Sequence, residues 1–132
     1  MSLLNSKNNG IKALLQYLVT TGDKIIVCIA ACQYTYVWFA EERFWHVSGN
    51  IKQIESWLAD NNLFRAHKSY LVNLNYIIDI DYDKRSITME GGHIAKLGKH
   101  KVKSLKLLMA NREKPEVLNF LSTKLVERKY RW

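Results

Sequence analysis

The sequence predicts a mostly β fold, antiparallel in its pairing, with a few short helices and an additional C-terminal helix. Three observations lead there. Runs rich in Ile, Val, Tyr, Phe and Trp, the types that favour strands, recur between residues 24 and 97. The strand pairs are joined by tight turns, as in an antiparallel meander. Within that region only one stretch, NIKQIESWLAD, spaces its apolar residues for a helix.

Taken in order, residues 1–10 (MSLLNSKNNG) are polar and turn-rich and read as a flexible leader. Ile11–Val19 suits helix or strand equally, because periodicity cannot settle so short a run. TTGD then turns the chain, and residues 24–30 and 34–39 read as strands. EER separates them from FWHVS, a further short strand. The helix follows, with Ile51, Ile54, Trp57 and Leu58 on one face. Asn50 suits its N-cap, and Gln53 three places on completes a capping box. NYIIDIDYD and SITME pair around Asp83-Lys84-Arg85, and Gly91-Gly92 turns into HIAKL. KHKVKSLKLLMA closes this part as a short helix carrying Val102, Leu105, Leu108 and Met109. Pro115 suits the first turn of a separate amphipathic helix over 113–132, whose stripe is Val117, Leu118, Leu121 and Leu125. The organisation expected is thus a leader (1–10), a domain (11–112) and that last helix, which either docks on the same core or binds a partner.

Charge narrows the function. The chain has 132 residues and a formal net charge of +8. Residues 1–62 hold five basic and five acidic side chains, whereas 63–132 hold fifteen and seven. All of the excess therefore lies in the second half, which suits a polyanionic partner, nucleic acid before membrane. The longest apolar run, Ile25–Cys32, falls far short of the roughly 20 residues that cross a bilayer. The surroundings of Cys28 and Cys32 read as strand, which would set them about 13 Å apart at ~3.3 Å per residue and so exclude a disulfide between them, with a shared metal no more expected.

Catalytic machinery is not legible. None of the four histidines, His46, His67, His93 and His100, has a ligand-like neighbour at helical or strand spacing. HExxH, GxSxG, Walker and paired-cysteine zinc patterns do not occur in the sequence. Asp79, Asp81 and Asp83 alternate along one strand face, as solvated residues commonly do, more readily than as cation ligands. The reading is a non-enzyme with no cofactor and no metal.

Two basic clusters remain. KLGKHKVKSLK carries five lysines in eleven residues, and Gly98 sets Lys99, His100 and Lys101 where a loop enters a helix. Unpaired backbone N–H groups at a helix start attract anions such as phosphate. The second cluster is FRAHKSYLVNLNYI, residues 64–77. With Phe64 and Tyr70 anchored in the core, Arg65, Lys68 and Ser69 can project together. The plainer reading gives Arg65 an ion pair, makes His67 a satisfied buried histidine, and uses Asn73 to hold a turn.

The order GNIKQIESWL, LFRAHKSYLVNLNYIIDID, ITMEGGHIAKLGKHKVKSLK resembles the LytTR DNA-binding domain over about residues 24–110. The most specific part is His67–Asn73, which matches an H-[RKN]-S-[YF]-hydrophobic-V-N core. The resemblance implies an elongated antiparallel β fold that inserts loops, rather than a recognition helix, into successive major grooves. It implies sequence-specific binding of double-stranded DNA by the output domain of a bacterial, cytoplasmic two-component response regulator. A receiver domain ahead of this chain and a dimer on DNA are compatible with it. By position the contacts fall in three regions: Gln33 and Tyr34, then Lys68 and Ser69, then Lys99 with His100, Lys101 and Lys103. Two positions depart from the family pattern. Lys68 replaces its Arg after His, and Gly98-Lys99 replaces its Ser-Arg, trading a fork that can grip guanine for flexible point charges. The competing readings are a protein-interaction module using Trp38, Trp45 or the final helix, and a single-strand binder stacking bases on Tyr34, Tyr36, Trp38 and Phe39.

Overall fold

A computed structural model of the chain describes residues 8–58 and 62–123, with side chains over 10–58 and 62–112. It divides into two compact units, Met1–Lys99 and His100–Trp132.

The first unit is built on antiparallel sheets. Helix α1 (Ile11–Thr21) follows a short strand β1 (Asn8–Gly10). The run that suited helix or strand is therefore helix. It buries Leu14 completely and packs Ile11, Ala13, Tyr17 and Leu18 against the core. It stops at Gly22, whose φ of 71° is the left-handed cap and whose N–H donates to the Leu18 carbonyl. Then come β2 (Val27–Ala31), β3 (Tyr34–Trp38), a 3₁₀ turn over Ala40–Glu42, and β4 (Phe44–Ser48). Helix α2 (Ile51–Leu58) starts at the expected capping box: Gln53 N donates to Asn50 Oδ1, and Asn50 N to Gln53 Oε1, both at 2.9 Å. Strands β5 (Leu63–His67) and β6 (Tyr70–Asn73) complete a six-stranded sheet ordered β1-β4-β3-β2-β6-β5.

One face of this sheet meets both helices. Cys28, Val37, Trp45, Val47 and Leu71 point into the core shared with Leu14, Ile51 and Ile54. Alternation along the strands sends Tyr34, Tyr36, Trp38, Phe44 and His46 to the other face, all half-buried. A 3₁₀ turn over Leu74–Tyr76 leads to a separate three-stranded sheet, β7 (Ile77–Asp81), β8 (Ser86–Met89) and β9 (Ile94–Lys96), in that order. Its strand β9 lies against β5 and β6. Ile87, Met89, Ala95 and Leu97 are buried there, as are Ala66 and Val72 of the larger sheet.

Several expectations change. Asn8–Gly10 of the expected leader forms a strand, pairing parallel with β4 from Asn8–His46 to Gly10–Ser48, while residues 1–7 lie outside the described residues. Asp83 falls in the turn after β7, so only Asp79 and Asp81 share a strand face. In the second unit, helix α3 runs Val102–Thr123 without a break, where two helices parted near Pro115 were expected. A proline inside a helix removes one N–H, and here the bond to the Asn111 carbonyl is forgone without ending the helix. The expected stripe from Val117 to Leu125 lies outside the residues whose side chains are described. No helix among the described residues is long and apolar enough to cross a membrane.

Candidate nucleic-acid interface

Strand register decides which turns share an edge. In the β2–β3 hairpin Ala31 pairs with Tyr34, leaving Cys32 and Gln33 as the turn. In the β5–β6 hairpin His67 pairs with Tyr70, leaving Lys68 and Ser69. Strands β2 and β6 are adjacent and antiparallel, with Ile29 opposite Tyr70, so both turns leave the sheet at the same edge. With strands ~4.8 Å apart, the two turns stand about 10 Å from one another. The Ser69 carbonyl accepts from Ala30 N at 2.9 Å, tying the second turn to the strand that leads to the first.

Lys99, the first residue of the third region, is held near this edge through an irregularity in β5. Register shifts between Arg65 and His67, a bulge that gives Ala66 no rung in the ladder to β6. The Ala66 carbonyl instead accepts from Gly98 N at 2.7 Å. Lys99 follows Gly98 directly, and Lys68 lies two residues past Ala66. Chain geometry therefore keeps the two lysine Cα atoms within about 17 Å. Gln33, Lys68 and Lys99 are exposed there, while Tyr34 and Ser69 are half-buried. The Tyr34 ring lies 4.5 Å from that of His46, engaged on the sheet surface rather than projecting from the turn. His100, Lys101 and Lys103 belong to the second unit. His100 and Lys101 share a 3₁₀ turn with Lys99, and Lys103 is exposed on the first turn of α3.

The plainer readings hold for Arg65 and Asn73, while His67 has a hydrogen-bond partner but is half-buried rather than buried. Arg65 pairs with Glu55 at 2.8 Å. Asn73 Oδ1 accepts from Asn75 N at 2.9 Å, and its Nδ2 donates to the buried Ile25 carbonyl at 2.7 Å. His67 Nδ1 accepts from Ser69 N at 3.1 Å, so the ring is neutral in this arrangement. Burial first, and then the cations Lys96, Lys68 and Arg65, push its pKa below the usual 6.5. Those three cations mark a residue the sequence reading passed over. Lys96, exposed on β9, stands close enough to the second turn to act on His67. Charge counting placed it in a lysine run; only the packing of β9 on β5 brings it here.

No group of three or more His, Cys, Asp or Glu among the described residues is placed to hold a metal ion. Cys28 is buried, its thiol pushed up to about 12, and Cys32 sits exposed in the first turn with φ 59°.

A family model, the LytTr DNA-binding domain, matches residues 16–110. The chain belongs to the LytTR family. A solved LytTr DNA-binding domain from Bacillus cereus has the same fold, with a TM-score of 0.57 at 24% identity, over 65% of this chain and 81% of that one. Among curated proteins none matches the chain. LytTR is a family of DNA-binding domains, not of enzymes, found in transcription regulators of the response-regulator type. The LytTR match ends at residue 110, inside α3.

Proposed function

We propose that this chain binds double-stranded DNA in a sequence-specific manner, as the cytoplasmic output domain of a bacterial two-component regulator. Loops rather than a helix enter successive major grooves. Residues 11–112 form the binding domain, 113–132 are an extension beyond it, and a receiver domain precedes the domain in a longer regulator that dimerises on DNA. What supports the reading is that two hairpin turns leave the sheet at one edge and that Gly98, next to Lys99, is tied to the second of these hairpins, through the Ala30–Ser69 and Gly98–Ala66 hydrogen bonds. Lysines there neutralise phosphates, and the exposed Gln33 has the amide that pairs with the N6 and N7 edge of adenine. Lys99 with His100, Lys101 and Lys103 supplies the third contact.

Duplexes selected by the chain from a random pool, followed by gel-shift competition, test this. Excess unrelated duplex should compete weakly. Equal competition by single strands would replace duplex recognition with base stacking, and no retention of DNA would favour a protein partner. Rings on the outer sheet face argue against stacking, because Tyr36 already stacks on His46 with centroids 5.0 Å apart. Lys99→Ala should weaken the selected duplex by ~1–3 kcal/mol if Lys99 reads a base. If it meets phosphate only, all duplexes should weaken alike and the salt dependence should flatten. Unchanged affinity in both measurements would remove Lys99 from the interface.

A further inference from the structure

We infer that Arg65 is a positioning residue for DNA recognition, bracing the β5–β6 turn instead of touching the duplex. This rests on the DNA-binding reading proposed above. The guanidinium directs its groups to three acceptors. Nε donates to the His67 carbonyl at 3.1 Å, one terminal nitrogen to the Lys68 carbonyl at 2.8 Å, and the other to Glu55 Oε1 at 2.8 Å. The first two acceptors are the backbone of the last residue of β5 and of Lys68, the first residue of the turn. The third stands on α2, an element fixed to the core through Ile51 and Ile54. A planar fork with five N–H groups can serve three acceptors at once, which an ammonium on a flexible stem cannot do in the same geometry.

The bulge explains why a brace is placed here. Losing one rung at Ala66 leaves the strand end with one ladder position fewer, and bulges characteristically re-aim the residues beyond them. Arg65 precedes the bulge and bonds the two residues after it, so it closes the irregularity from the inside. Glu55 has a second effect. It offsets a cation that would otherwise stand unpaired beside Lys68 and Lys96. The Arg65 side chain is 21% exposed, and three of its five N–H groups are given to backbone and carboxylate. Turn shape sets where Lys68 and Ser69 meet a base edge, whereas non-specific affinity depends mainly on the number of phosphates neutralised.

The test separates geometry from charge in the full chain. The probes are a duplex selected by the wild-type chain and an unrelated duplex of equal length. Arg65→Lys, which keeps the charge and loses the fork, should weaken the selected duplex about tenfold. Affinity for the unrelated duplex and the dependence on salt should stay at wild type. Glu55→Ala, on an exposed helix position that alanine suits, should weaken the selected duplex in the same sense by a smaller factor. In the DNA-free chain, Arg65→Lys should also speed hydrogen exchange at the Lys68 and Ser69 amides. The inference is overturned if Arg65→Lys binds as wild type, or if it weakens both duplexes equally with a flatter salt dependence. A wild-type chain that prefers no duplex defeats the DNA reading instead, and unchanged exchange at the two amides would then still defeat the brace.

Discussion

Asn73 shows what a single buried amide does in this fold. At 5% exposure its two polar atoms are both used, one holding the turn at Asn75 and one meeting the Ile25 carbonyl 48 positions earlier in the chain. Asn73→Ala would leave a buried carbonyl and a part-buried N–H without these partners, at a cost of ~1–3 kcal/mol. Denaturant melts should show a lower midpoint with an unchanged slope, and a midpoint equal to wild type would show that water replaces both bonds. The turn-holding half of this role is legible in the sequence, since Asn side chains commonly bond nearby main chain. The Ile25 half is not, because nothing local says that β6 lies beside the segment entering β2. Arg65 divides in the same way. Its type and charge are plain, but its carbonyl acceptors are set by a bulge that has no local residue signature.

Among elements, α1 was the ambiguous one, and its anchoring shows why. Its apolar residues satisfy either period, so tertiary partners decide. Tyr17 on α1 donates to Asp23 Oδ2 at 2.7 Å, and Arg43 from the β3–β4 connection donates to the Tyr17 hydroxyl at 2.8 Å. Arg43 and Asp23 also pair directly at 2.7 Å, with side chains 24% and 17% exposed. Burial pushes the Asp23 carboxyl up, but the hydrogen bonds from Arg43 and Tyr17 outweigh it and hold the pKa below the usual 3.8. A carboxylate with a depressed folded pKa binds fewer protons than in the unfolded chain. Its stabilisation is therefore complete above the ordinary value and is lost as pH falls through 3.8 toward the folded value. Asp23→Asn should cost ~1–2 kcal/mol of stability at neutral pH, seen as a lower thermal midpoint, and flatten the decline in that acidic window. Midpoints measured by circular dichroism from neutral pH to about pH 2 would show it. An acid limb as steep as wild type would assign the decline to other carboxylates. Helix α2, by contrast, was legible to the capping atoms, because its cap is written within four consecutive residues, Asn50 to Gln53. The separate sheet β7–β9 and its packing against β5 were not, since turn chemistry specifies a hairpin but not which sheet receives it.

For the whole molecule, a net charge of +8 states only that a polyanion is attracted; the fold determines where. Strand β2 separates two situations cleanly. Lys24 is exposed just before the strand begins, whereas Gln33 and Lys68 lie at the edge where it ends. A five-residue strand spans about 17 Å, beyond the Debye length of ~8 Å at physiological ionic strength. Counterion release counts phosphates that are neutralised at close range, about 0.9 in the slope of log K against log salt for each. If the edge is where DNA lies, Lys68→Ala and Lys96→Ala should each reduce that slope by about 0.9, and Lys24→Ala should leave it unchanged. Lys96 makes the comparison sharp, because its place at the edge comes from the packing of β9 and not from its position in a lysine run. The titration is a series of gel shifts across a fourfold range of salt with one duplex. Equal reductions from all three substitutions would mean that the whole basic surface attracts DNA diffusely, and that the edge carries no particular contact.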